Sequence, residues 1–305
     1  MVLSSYFLID MESTKSKKIL SLVLDTFIIS VTIMIVFLSM GGHLSAGEII
    51  KQLLPTTFSN NWFVTCYIII YAIHGWLNKV IKTISKRVHF DACIVMIMMY
   101  CVINFVLRRC YEFNGLVGFS VIYFITAFVK LYCPRFSTSI KDSRRLIIDC
   151  IVGCLLLILF TNQIGFLIPI AQNKMLHWTT YMNLFFILIG IGAVFGASAK
   201  PFQYNTKTNR FASTTLLIYL IHENYIIREY VRPMLFQIIY TQYGYDYIVL
   251  ITITFALLFY FISMGIGYLY ANTIRKYIQN ITKVLDRIIL KFEESIWVAC
   301  CRILK

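Results

Sequence analysis

Ile218-Tyr219-Leu220-Ile221-His222-Glu223-Asn224 stands inside an apolar run that begins at Phe211 and ends near Val231. The run is long enough to cross a bilayer, because a spanning helix needs about 20 mostly apolar residues. Consecutive histidine, glutamate and asparagine are costly at membrane depth, where polar side chains usually mark a functional site or face a bundle interior. The run therefore predicts a membrane-spanning helix with a polar centre.

The composition also indicates a membrane protein. Of the 305 residues, 59% are hydrophobic and 14% are charged, whereas soluble domains usually carry about 25% charged residues. The net charge of +14 does not indicate nucleic-acid binding, since the basic residues lie between apolar segments rather than along one soluble face. We predict an all-α fold, a polytopic bundle of transmembrane helices.

Apolar windows predict about eight transmembrane helices followed by a C-terminal amphipathic helix. Residues 276–304 place basic side chains between apolar positions at helical spacing, so this helix is expected either to lie in the membrane interface or to pack on the bundle's cytoplasmic face. The expected division is a transmembrane domain at 1–275 and a cytoplasmic helix or tail at 276–305. The predicted spans are Ile19–Met40, Asn60–Asn78, Asp91–Leu107, Gly115–Cys133, Leu146–Thr161, Trp178–Ser198, Ala212–Tyr230 and Tyr247–Ala271.

The connectors between the predicted spans alternate in charge. One set of connectors, together with both termini, holds all but six of the 28 lysine and arginine residues. Those six are Lys51, Arg108, Arg109, Lys174, Arg228 and Arg232. Because positively charged loops stay on the cytoplasmic side, this pattern predicts a multi-pass protein of the plasma membrane with both termini in the cytoplasm.

Aromatic and polar residues form recognisable motifs in two of the predicted spans. One span carries Trp62-Phe63, Tyr67 and Leu77-Asn78, and another carries Tyr219-Leu220-Ile221-His222-Glu223-Asn224. These residues resemble the Trp-Phe…Tyr…Pro-Leu-Asn helix and the late Tyr-Leu-x-His helix of acyltransferase family 3, particularly its membrane polysaccharide O-acetyltransferases. Where the family more often has a proline before Leu-Asn, this chain has His74-Gly75-Trp76.

The start of the chain resembles the same family. Ser4-Ser5-Tyr6-Phe7-Leu8 is similar to the Ser-Gly-Tyr-Phe-Leu that closes the family's second helix. Lys15 and Lys18 then fall where members carry an Arg-x-x-Arg pair. Lysine keeps the charge but loses the bidentate fork that suits phosphate, so ordinary positive-inside lysines are the alternative. The family's first helix, which carries its catalytic histidine, finds no match, so the chain resembles a member without its first two helices.

The resemblance implies transfer of an acyl group such as acetyl from acyl-CoA to hydroxyls of a cell-surface or exported polysaccharide. This chemistry needs a base for the acceptor hydroxyl and groups that stabilise an oxyanion. His222 is the expected acid or base, since histidine titrates near physiological pH. Glu223 could orient it, although adjacent helical residues point about 100° apart. Lys15 and Lys18 would hold the phosphates of acyl-CoA. The residues expected in the substrate cavity are Trp62, Tyr67, Tyr219 and Asn224.

Two other interpretations stay open. The chain could be catalytically inactive or the larger half of a split protein that needs a separate N-terminal partner. A flippase-like or polymerase-like carrier is the third class, but it would show more spans, internal repeats and a large outer loop. No bound cofactor or metal is expected, because no His, Cys or carboxylate cluster has metal-ligand spacing. The expected partners are the lipid bilayer, a glycan acceptor and acyl-CoA as donor substrate.

Overall fold

The computed structural model describes a helical chain. No strand occurs in the part of the chain that it describes, which agrees with the all-α prediction. The described residues are 1–58, 60–103, 115–167, 184–201, 205–212, 214–243 and 247–303.

Fourteen α-helices and two π-helical segments occur in these residues. The π-helical segments are Met98–Ile103 and Ile227–Val231. The α-helices are α1 (Val2–Leu8), α2 (Ser16–Ser39), α3 (Ala46–Leu53), α4 (Trp62–Thr83), α5 (Lys86–Ile97), α6 (Gly115–Tyr132), α7 (Arg135–Thr138), α8 (Ile140–Leu167), α9 (Leu184–Ser198), α10 (Thr206–Ala212), α11 (Thr215–His222), α12 (Arg232–Tyr243), α13 (Ile248–Asn272) and α14 (Ile274–Ile303).

The chain divides into two compact units. The first comprises Met1–Thr14 and Cys66–Gln203, and the second comprises Lys15–Thr65 and Tyr204–Lys305. The core of the first unit is a buried apolar cluster from α5, α6, α9 and the π-helical segment between α5 and α6. Its members are Cys93, Cys101, Val121, Ile125, Ile187, Ile191 and Phe195.

A buried asparagine fixes the N-terminal segment within the first unit. The Asn78 side chain donates hydrogen bonds to the carbonyl oxygens of Leu8 and Met11, both at 2.9 Å. Its own oxygen accepts a hydrogen bond from the Tyr123 hydroxyl at 2.6 Å. Asn78 is buried, so these three bonds satisfy an amide that would otherwise be costly to bury.

Within the part of the chain that the structure describes, four helices are long and apolar enough to cross a membrane, namely α2, α4, α6 and α13. They match four of the eight predicted spans, and such helices are compatible with a membrane protein. The predicted span Leu146–Thr161 lies inside α8. Two further predicted spans, Asp91–Leu107 and Trp178–Ser198, extend into residues 104–114 and 168–183, which lie outside the described residues.

The predicted span Ala212–Tyr230 is not one continuous α-helix, contrary to expectation. In the structure α11 ends at His222, and Glu223 and Asn224 lie outside any helix. The chain then resumes a helical course and passes through the π-helical segment Ile227–Val231 before α12 begins. The polar centre of the run therefore coincides with a break.

A buried ion pair joins three helices of the second unit. Asp25 of α2 is 1% exposed. Its Oδ1 accepts a hydrogen bond from the Tyr270 hydroxyl of α13 at 2.9 Å, and its Oδ2 lies 3.4 Å from Nη2 of Arg275 in α14. In a second contact, the Ser16 hydroxyl donates to Asp286 Oδ1 at 2.5 Å. Compared with the first contact, this one lies later in α14 but earlier in α2. The two helices therefore run antiparallel here.

Removing the cation of this pair should destabilise the second unit. Arg275→Gln leaves the Asp25 carboxylate buried without its charge partner, so we expect a loss of roughly 3 kcal/mol in the free energy of unfolding. Combining it with Asp25→Asn should restore part of that loss, because an amide carries no charge. Unfolding in mild detergent, followed by tryptophan fluorescence, measures both.

The matched control is Arg87→Gln, which breaks an ion pair between two exposed side chains, Arg87 and Asp91. An exposed i,i+4 pair contributes under about 0.5 kcal/mol, so this variant should unfold almost like the unsubstituted protein. Equal losses in Arg275→Gln and Arg87→Gln would contradict a stabilising role for the buried pair.

Candidate active site

The end of α11 is stabilised by a guanidinium group. Arg232 donates a hydrogen bond from Nη2 to the carbonyl oxygen of His222. The last carbonyl groups of a helix lack intrahelical partners, and a cation there also suits the negative end of the helix dipole. Arg232 therefore provides both the hydrogen bond and the positive charge that stabilise a helix end inside an apolar run.

Asn224 begins the next helical segment. Its Oδ1 accepts a hydrogen bond from the backbone N–H of Ile226 at 2.9 Å, which is the usual contact of an N-capping side chain. Its Nδ2 lies 3.3 Å from both Ser30 Oγ and Gln52 Oε1. Asn224, Ser30 and Gln52 are all at most 1% exposed. The break is thus anchored to α2 and α3 by buried polar contacts.

His222 and Glu223 meet because the helix ends between them. Their side chains would diverge in a continuous α-helix, but Glu223 has left it, with φ −96° and ψ 9°. His222 Nδ1 lies 3.0 Å from Glu223 Oε1. The side chain of His222 is 47% exposed, against 23% for that of Glu223, so the imidazole is open to an incoming molecule while its carboxylate partner is more enclosed.

Two arginines hold the carboxylate in place. Arg232 Nη2 lies 3.1 Å from Glu223 Oε1, and Arg228 Nη1 lies 4.0 Å from Oε2. Arg228 is shared, because its Nε also donates to Glu229 Oε1 at 2.7 Å. Glu223 is therefore fixed by Arg232 on the side that faces His222, and Arg228 borders the pair.

Glu48 connects α3 to the helical segment after the break. Its carboxylate completes a capping box, in which Oε2 accepts hydrogen bonds from the Ser45 backbone N–H at 2.8 Å and the Ser45 hydroxyl at 2.7 Å. Its Oε1 accepts hydrogen bonds from the hydroxyl groups of Tyr230 and of Tyr225, the latter at 2.9 Å. Hydrogen bonds to the charged form, that from Tyr230 first, lower the pKa of Glu48 to about 2.

The other predicted site residues are placed differently. Tyr219 lies one turn before His222 on α11, and its ring packs 5.0 Å from that of Phe63, which in turn lies 6.1 Å from Trp62. Tyr67 belongs to the first unit, where it stacks on Tyr71. A role in a substrate cavity remains a prediction for Trp62, Tyr67, Tyr219 and Asn224.

Lys15 and Lys18 stand at the start of α2, where both are exposed. Lys15 is the residue before the first helical position, and the Lys18 backbone N–H donates to its carbonyl oxygen at 2.9 Å. Lys18 lies about 18 Å along the helix axis from Ser30, the α2 residue that contacts Asn224. The lysines and the break therefore occupy separate places on the second unit.

The other histidines with described positions differ from His222 in burial or setting. His74 and His89 are fully buried, and His74 Nδ1 lies 2.5 Å from the carbonyl oxygen of Tyr71. His43 is exposed in the turn between α2 and α3. Only His222 among these four combines an accessible ring with a carboxylate partner at hydrogen-bonding distance. Within the described residues, no group of three His, Cys, Asp or Glu side chains could hold a metal ion.

The partners of the pair, Arg228 and Arg232, were not singled out as site residues by the sequence. In the sequence both belong only to the six basic residues of the less basic predicted connectors. The sequence signal for them is their positive charge, five and nine residues after the negatively charged Glu223 within one apolar region. Ser30 and Gln52 gave no signal, since only the fold brings them to Asn224.

No family model, curated protein or solved structure matches the chain. The geometry of the break and the motifs quoted from the sequence are therefore what support a site here. The geometry consists of an accessible imidazole, a carboxylate bound to its Nδ1, and two guanidinium groups beside the carboxylate.

Acid should weaken the attachment of α3 to the segment after the break. The pKa of Glu48 is lower in the folded protein than its ordinary value of 4.5, so protons bind preferentially to the unfolded chain. The stability from Glu48 is complete above about pH 4.5 and is lost as the pH falls towards 2. We expect Glu48→Gln to flatten the fall in melting temperature across this range, as measured by thermal unfolding at each pH.

Glu294→Gln is the control for this prediction, because Glu294 is also a glutamate but is exposed on α14. Its pH profile should follow that of the unsubstituted protein. A profile of Glu48→Gln that also followed the unsubstituted protein would show that the four hydrogen bonds to Glu48 do not stabilise the fold.

Proposed function

We propose that the chain is an integral membrane O-acyltransferase. It transfers an acyl group such as acetyl from acyl-CoA to hydroxyls of a cell-surface or exported polysaccharide. The observation that supports a catalytic role is the contact between His222 Nδ1 and Glu223 Oε1, 3.0 Å long, at a helix break with the imidazole half exposed. The motifs around Trp62 and Tyr219 support acyl transfer as the reaction.

The geometry suits general acid–base catalysis. Donation of the Nδ1 proton to Glu223 leaves Nε2 of His222 as an acceptor, in the arrangement that a carboxylate imposes on a catalytic imidazole. Nε2 takes the proton of the sugar hydroxyl as the hydroxyl oxygen attacks the thioester carbonyl carbon. The carbon–sulfur bond then breaks, and the imidazolium returns the proton to the departing thiolate of coenzyme A.

The surrounding charges fit the same scheme. Glu223 stabilises the imidazolium that forms during transfer. Arg232, whose Nη2 lies 3.1 Å from Glu223 Oε1, keeps the carboxylate facing the ring. Arg228, whose guanidinium borders the pair, would stabilise the oxyanion of the tetrahedral intermediate, a role typically worth a hundredfold or more in rate. These assignments give each group near the break a distinct task.

The donor is proposed to bind from the cytoplasmic side. Lys15 and Lys18 would hold its phosphates at the start of α2, and the long arm of coenzyme A would carry the thioester towards the break. In this proposal the chain is a plasma-membrane protein with eight spans and cytoplasmic termini, and its C-terminal helix lies at the inner interface.

His222→Ala should reduce transfer of labelled acetyl from acetyl-CoA to membrane glycan by about 10²–10⁴-fold, the range for loss of a general base. Glu223→Gln should lose less, because the imidazole remains. The measurement is incorporation of label into the glycan fraction of membrane vesicles that contain equal amounts of each protein. His43→Ala, which removes an exposed histidine from the turn between α2 and α3, should retain full activity.

Full activity in His222→Ala would contradict the role of the pair. Loss of activity in both His222→Ala and His43→Ala would instead point to a general effect of substitution on the fold. No acetyl transfer by the unsubstituted chain, alone or with a separate N-terminal fragment, would reject the enzyme proposal and favour a non-catalytic membrane module.

Replacing Lys15 and Lys18 together by alanine should raise the KM for acetyl-CoA about a hundredfold or more, since each of the two lost bonds to a charged phosphate is worth roughly 1.5–3 kcal/mol. The kcat should change little, because neither lysine lies near the break. The matched control is the double variant Lys79→Ala with Lys82→Ala, near the end of α4. An unchanged KM would leave Lys15 and Lys18 with a role in topology alone.

A further inference from the structure

The last helix has one face packed against the second unit. This face is formed by Arg275, Ile278, Thr282 and Asp286, which recur at helical spacing. Ile278 and Thr282 are at most 1% exposed. Arg275 and Asp286 contact α2 through Asp25 and Ser16. The first half of α14 is therefore docked on the second unit.

A second face of α14 is apolar and exposed. It lies roughly a third of a turn from the docked face, and its residues recur every three or four positions. Each of them is between 41% and 73% exposed. They are Ile274, Tyr277, Ile281, Val284, Ile288 and Phe292, which we call the apolar stripe. A continuous exposed stripe of this kind usually marks an interaction surface.

Basic side chains follow the edge of the apolar stripe away from the docked face. Lys276, Lys283, Arg287 and Lys291 lie about a third of a turn from the centre of the stripe, and all four are exposed. Of the acidic residues of α14, Asp286 faces the other way, towards Ser16, and Glu293 and Glu294 follow the last basic residue of this edge. The free surface of the helix thus combines an apolar stripe with a cationic edge.

We propose that the apolar stripe of α14 inserts into the surface of an anionic phospholipid bilayer. The lysine and arginine edge would lie at the level of the headgroups, where basic side chains near an anionic leaflet strengthen binding. The stripe is continuous with a membrane-facing surface, because only Thr273 separates α14 from α13, a helix long and apolar enough to cross a membrane. On α13 the exposed apolar surface extends to Leu269.

Charge favours lipid over a second copy of this chain as the partner. A second copy would bring a net charge of +14 to the same place, and the two cationic edges would repel. Anionic headgroups supply the opposite charge. The two sequence-based interpretations of this helix, docking on the bundle and lying in the interface, then describe two faces of the same helix. The proposal does not depend on acyl transfer.

Tryptophan placed on different faces of α14 tests the insertion. The full-length variants Ile288→Trp, within the apolar stripe, and Gln279→Trp, exposed on the opposite side, are reconstituted into vesicles that contain brominated phospholipid. Bromine quenches tryptophan fluorescence only at short range. The signal gained over the unsubstituted protein should be quenched at least about twofold more strongly in Ile288→Trp than in Gln279→Trp, because only the former lies among acyl chains.

The charge preference is tested with the same probe. At equal mole fraction, brominated phosphatidylglycerol should quench the tryptophan of Ile288→Trp more strongly than brominated phosphatidylcholine, since each basic side chain near an anionic surface strengthens association about fivefold. Changing Lys283, Arg287 and Lys291 together to glutamine should abolish this preference. Changing Lys141, Arg144 and Arg145 to glutamine removes three exposed charges from α8 and should preserve it.

Equal quenching of Ile288→Trp and Gln279→Trp would overturn the proposal. If the fluorescence of Ile288→Trp also depended on protein density in the vesicles, a contact between copies would be the replacement. Quenching that is strong in Ile288→Trp but equal for the two lipids would reject the anionic preference. Loss of the lipid preference in the α8 control would also reject it, since the preference would then follow the overall charge of the protein rather than the charges of α14.

Discussion

A helix that stops inside an apolar run leaves backbone groups at the break without intrahelical partners. Each such group is costly unless another part of the protein satisfies it. At this break the chain uses its own polar residues for the task, since Arg232 binds the last carbonyl group of α11 and the Asn224 side chain binds the N–H of Ile226. The positions of His222 and Glu223 follow from these two contacts.

The same contacts explain why charge accumulates at this point of the chain. Arg232 satisfies the helix end and also requires a carboxylate nearby, which Glu223 provides at 3.1 Å. Glu223 in turn reaches His222, because it has left the helix. A structural need of the backbone thus brings together an imidazole, a carboxylate and a guanidinium, a combination with the chemical capacity for proton transfer.

Much of the secondary structure could be predicted from sequence, because long apolar segments with polar ends leave few alternatives to a helix. The boundaries of α2, α6 and α13 agree closely with the spans expected from hydropathy. The break at His222 could not be predicted in the same way. Hydropathy averages over a window, and a window that contains Leu217, Ile221 and Ile226 remains apolar whether or not the backbone is continuous.

The site was predicted in part for a similar reason. His222 and Glu223 were recognisable as polar residues in a costly place, but the sequence suggested that they diverge. In the structure Arg232 contacts Glu223, and Asn224 beside it contacts the buried amide of Gln52, which belongs to a helix more than 150 residues earlier in the chain. Asp25 illustrates the same limit, because its charge partner Arg275 comes from α14, at the other end of the chain. Long-range polar pairs are fixed by packing rather than by local pattern.

The π-helical segment Ile227–Val231 has a consequence for length variation in this region. A π-helical turn contains about one residue more than an α-helical turn, so it changes the direction of every following side chain by roughly 100°. Tyr230 and Arg232, which reach Glu48 and Glu223 respectively, lie in or directly after it. A one-residue deletion here, harmless in most surface loops, would rotate α12 relative to the break and separate both pairs. The spacing between His222 and Arg232 is therefore as important to the site as the identity of either residue.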